Sequence, residues 1–92
     1  MTKLTGNIRI TPNPGTETMG PHFEVVFVPY HGHINAQTVR VTSHDDLVAF
    51  LIEIKFSEDD ASRWAGRARG SVVLIPSVER TEDLLKDNGL LE

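Results

Sequence analysis

The chain has 92 residues, 39% of them hydrophobic and 24% charged, with a formal net charge of −4 at pH 7 and no cysteine. That length sustains one modest hydrophobic centre, so residues 1–92 read as a single domain, and the missing cysteines exclude disulfides, thiolate chemistry and cysteine-based zinc or iron–sulfur sites. The negative charge disfavours a general nucleic-acid binder, no run approaches the roughly 18 apolar residues of a membrane span, and residues 1–6 lack the apolar segment of a secretory signal, so a cytoplasmic address is expected.

Residues 3–11 alternate, with Leu4, Gly6, Ile8 and Ile10 on one side and Lys3, Thr5, Asn7, Arg9 and Thr11 on the other. That is the pattern of a half-buried strand. Pro12, Asn13, Pro14 and Gly15 break it, because proline removes a donor and restricts its predecessor, and residues 12–21 are expected to form a flexible loop. A second strand over 23–28 sets Phe23, Val25 and Phe27 against Glu24, Val26 and Val28. It is apolar on both faces, and with helices on one side only, Val26 and Val28 are left to be covered by something else.

Tyr30, His31, Gly32 and His33 supply a turn in which Gly32 takes a positive φ, and residues 34–42 return as a partner strand. Val39 and Val41 then face the helices, whereas Ile34 and Ala36 have the opposite parity, which calls for a bulge or a loose strand start. Ser43 and Ser57 each stand three residues before a carboxylate, Asp46 and Asp60, and mark two helix N-caps. Leu47, Phe50, Leu51 and Ile54 follow the first cap at helical spacing; Ala61, Trp64, Ala65 and Ala68 follow the second. The continuous apolar run from Val72 to Ile75 suits a strand over 71–76 buried on both sides. Thr81 caps a short last helix through Asp87, stopped by Asn88 and Gly89, with Leu90 folding back on Leu85 in a Schellman arrangement.

These elements define an α+β fold: a small two-layer domain whose four-stranded, mainly antiparallel sheet carries a helical pair on one face, in the order β-β-β-α-α-β-α. Short connections make the first three strands a meander, and the helical pair lets the fourth strand return beside the first, in order 4-1-2-3. The expected core sets Leu4, Ile8, Ile10, Phe23, Val25, Phe27, Val39, Val41 and Val73 against Leu47, Phe50, Leu51, Ile54 and Trp64.

No motif fixes a reaction. The glycines form no phosphate loop, no serine stands in a nucleophile elbow, and the paired aspartates read as solvated helix starts. No catalytic residue, metal ligand or cofactor is therefore nominated. The leading expectation is a non-catalytic protein-interaction or self-association module, with a homodimer as its simplest form. Its surface is the outer sheet face around Val26, Val28 and Tyr30, margined by Arg9 and Arg40, with an exposed sheet edge on strand three or four as a further route. One alternative is a small enzyme or enzyme subunit using Tyr30, His31 and His33 for acid–base work. Another is weak binding of phosphate or nucleic acid by Arg63, Arg67 and Arg69, helped if Arg80 lies near. His31 and His33 fit a turn better than a metal site, and His44, in a first helical turn, is expected to be neutral.

Overall fold

The computed structural model describes residues 2–32 and 35–92. Its elements are β1 (Lys3–Asn13), β2 (His22–Pro29), β3 (Val39–Val41), α1 (His44–Glu53), α2 (Glu58–Arg67), β4 (Val73–Thr81) and α3 (Glu82–Asp87). The sheet runs β3-β2-β1-β4 with every neighbouring pair antiparallel, which is the expected 4-1-2-3 order. Leu47, Leu51 and Ile54 from α1 and its C-cap and Ala61, Ala65 and Ala68 from α2 and its C-cap join Ile8, Ile10, Val25 and Phe27 from the sheet in one buried cluster. The small residues of α2 let that helix lie close; Trp64, Phe50, Leu4, Phe23, Val39 and Val41 are only partly buried around this centre.

Both helix starts form as their sequences require. Ser43 Oγ accepts from the Asp46 amide at 3.0 Å and Ser57 Oγ from the Asp60 amide at 3.1 Å, each satisfying a donor that has no intrahelical partner. The ends are equally well defined. Gly89 (φ 79°) closes α3 with Leu90 N donating to Leu85 O at 2.9 Å and Gly89 N to Lys86 O at 3.1 Å, the expected Schellman pairing. The same pair of bonds ends α1, from Phe56 N to Leu51 O and Lys55 N to Ile52 O, both 3.0 Å, but there the left-handed position belongs to Lys55 (φ 75°).

Three boundaries differ from the sequence expectation. Pro12 and Asn13 belong to β1, facing Phe23 and His22, so the loop is shorter than 12–21. Beyond Ile10, β1 has β2 alone beside it, because its pairing with β4 stops at Val73; the missing proline donor is tolerated on that open side. β3 is three residues rather than the expected 34–42. Ahead of it, Ala36 bridges Leu91, with Gln37 N donating to Leu90 O at 2.9 Å and Glu92 N to Asn35 O at 3.0 Å, so the tail takes part of the space a long β3 would fill. Leu90 and Leu91 are buried there, and the expected parity of Ile34 and the turn position of His33 lie outside the described residues.

β4 is the third difference. It continues through Pro76 to Thr81 and, at the sheet edge where the expected order put it, has one face open: Val73, Ile75 and Val78 are buried, whereas Leu74 is 52% exposed. Its apolar run is therefore not buried on both sides. Pro76 is accommodated at a register shift between Gly6 and Ile8 of β1, where Ser77 adopts φ 56°.

Candidate functional site

Strand parity gathers the predicted partner residues on the sheet face opposite the helices. Arg9 lies between Val26 on β2 and Leu74 on β4, while Glu24 lies between Thr11 and Arg40; Val28 and Tyr30 continue the outward series of β2. Of the six large hydrophobics exposed among the described residues, Val28 and Leu74 carry this outward parity, and Tyr30, beyond the end of β2, reaches Asn7 on the same side. Sequence reasoning missed Leu74 because it buried both faces of β4. The edges beside this face are blunted, β3 by its length and β4 by Pro76 and its bulge.

Tyr30 has a structural task. Its hydroxyl donates to Asn7 Oδ1 at 2.6 Å and accepts the Ser77 amide at 2.8 Å, so a side chain from the end of β2 closes the gap the bulge leaves in the β1–β4 ladder. His31 is exposed, and His33 lies outside the described residues. Neither of the two cavities described below is lined by Tyr30 or His31.

The arginines serve separate partners. Arg63 pairs with Asp60 one turn earlier on α2, and the Arg67 guanidinium stands 5.0 Å from the centroid of the Trp64 ring. Arg80 turns to the other end of α1. Its Nε donates to Ile54 O at 2.5 Å and its Nη2 to Lys55 O at 3.4 Å, with the guanidinium 4.8 Å from the Phe56 ring centroid. Partial burial there lowers its pKa from the ordinary value. A cation against the carbonyl end of α1 stabilises that terminus, and a cavity of about 290 Å³ adjoins it, lined by Lys3, Lys55, Glu79 and Arg80 among others.

Arg69 alone of the three predicted arginines lines the larger cavity, an open cleft of about 530 Å³ at one end of the sheet. Its walls come from the end of β1, the start of β2, the approach to α1 and the segment after α2. Pro12, Pro14, Pro21 and Phe23 make an apolar wall; Thr42, Ser43, His22, His44 and Arg69 add polar groups. His22 is 6% exposed, and its Nδ1 lies 3.0 Å from Gly20 O, which fixes the proton on that nitrogen. The opposite nitrogen, Nε2, stands 3.8 Å from Glu24 Oε1, too far for a hydrogen bond, while that carboxylate oxygen accepts from Asn13 Nδ2 at 3.1 Å. His44 Nδ1 is closed to solvent without a partner, a deficit of about 1–3 kcal/mol for a buried polar atom. The sequence gives no sign that His22, His44 and Arg69 meet, since they lie on three separate segments.

Comparison with protein-family models, curated proteins and solved structures finds no match. Among the described residues no three histidine or carboxylate side chains are grouped to hold a metal ion, and no helix is long and apolar enough to cross a membrane.

Proposed function

We propose that this chain is a non-catalytic interaction module that pairs with a second copy of itself through the outer face of its sheet. The observation that carries the reading is the concentration of exposed Val28, Tyr30 and Leu74, beside half-buried Val26, on the face away from the helices. Single exposed apolar side chains are ordinary; a group on one face is a surface that gains by leaving water. Charge supports a second copy as the occupant. The face holds Arg9, Arg40 and Glu24, so a two-fold arrangement can set the carboxylate of each copy against a guanidinium of the other. The blunted edges favour face-to-face packing over an extended sheet.

The test is the molar mass in solution from low to high micromolar concentration. The wild type is expected to approach twice 10.2 kDa, and Leu74→Glu, which places a charge on an already exposed position, is expected to remain monomeric with an unchanged circular dichroism spectrum. A wild type that stays monomeric throughout rejects the reading.

A further inference from the structure

We propose that the cleft between Arg69, His22 and the start of α1 binds a small organic anion, an oxyanion group carried on a flat apolar body. Three observations converge there. The cleft, about 530 Å³, has the size of a small-molecule site. Its ionisable lining is cationic or neutral, Arg69, His22 and His44, with no carboxylate among the lining residues of a chain whose net charge is −4. The guanidinium there is also uncommitted. Arg69 makes no side-chain hydrogen bond or ion pair among the described residues, in contrast to Arg63 and Arg80. The His22 ring is nine-tenths buried and held through its Nδ1–H to Gly20 O, which leaves Nε2 an acceptor 3.8 Å from Glu24 Oε1; it walls the cleft, and the donors for the anion are Arg69 and the start of α1.

The division of the walls sets the ligand's chemistry. Arg69 offers a planar fork suited to a carboxylate or phosphate, and the unbonded amide of His44 at the start of α1 adds a donor of the same sign. Pro12, Pro21 and Phe23 face the remainder of the cleft with apolar surface that matches a ring. Asp45 and Asp46 follow on the first turn of α1 but do not line the cleft. Glu24 of the outer face stands 3.8 Å from His22 Nε2, but Arg69 and the start of α1 lie outside that face, so the site is tested separately from self-association.

Titration of the isotopically labelled full chain with benzoate, phenyl phosphate and neutral benzyl alcohol, read by amide NMR, tests it. Saturable shifts at Ser43, His44, Arg69 and Gly70 are expected from at least one anion and not from the alcohol, and the tighter of the two anions identifies the head group. Arg69→Gln, at an exposed side chain, should leave the spectrum elsewhere unchanged and weaken binding at least about tenfold. The proposal is overturned if neither anion gives saturable shifts by about 10 mM, if the alcohol binds as well as the anions, or if the variant binds as the wild type does.

Discussion

Phe27 and Phe50 show how position along one pattern separates two residues of the same type. Phe27 is fully buried in the sheet, whereas Phe50 sits at the rim of the core. Phe27→Ala is expected to cost about 3–5 kcal/mol, and Phe50→Ala about 1–2 kcal/mol because less surface and a smaller cavity are involved. Chemical denaturation of both variants checks this, and equal losses would contradict the burial difference. Gly6 presents the opposite constraint. A Cβ there would stand 2.2 Å from Val28 O, a backbone atom that cannot swing aside, so Gly6→Ala is expected to lose about 1–3 kcal/mol by overpacking. Sequence alternation placed Gly6 on the core side of β1; it could not show that the backbone of β2 crowds it, because that depends on register.

At the scale of the elements, most of what is decided within a few residues was legible in advance. The caps at Ser43, Ser57 and Thr81, the helical faces behind the first two, and the Schellman end at Gly89 all rest on local backbone chemistry. The end of α1 was not, since the left-handed position falls to Lys55, with no glycine to announce it. Lys55→Gly is accordingly expected to stabilise the protein by up to about 1 kcal/mol, through relief of the left-handed penalty, and a lowered thermal midpoint would contradict that account. Strand limits depended on distant partners: β3 is short where the tail bonds to residues 35 and 37, and β4 outruns Pro76 because a bulge and the Tyr30 hydroxyl hold the far side together. Tyr30→Phe removes both of those bonds and is expected to cost about 1–2 kcal/mol. An unchanged stability would remove Tyr30 from this role.

For the whole molecule, the layer arrangement decides which surfaces remain to act. Helices on one face bury Ile8, Ile10, Val25 and Phe27, and the same alternation turns Val26, Val28 and Leu74 to the other side. The outer face was half legible: parity gave Val26, Val28, Arg9 and Arg40, while Leu74 became part of it only once β4 proved to have one face open rather than both buried. The cleft was not legible, because His22, His44 and Arg69 are joined by the register of β1 with β2 and by the packing of the helices above it. Sedimentation equilibrium of the wild type beside Leu74→Glu tests the central claim most directly. Self-association through the outer face predicts a concentration-dependent dimer for the wild type and a folded monomer for the variant; two monomers, or two dimers of equal strength, would contradict it.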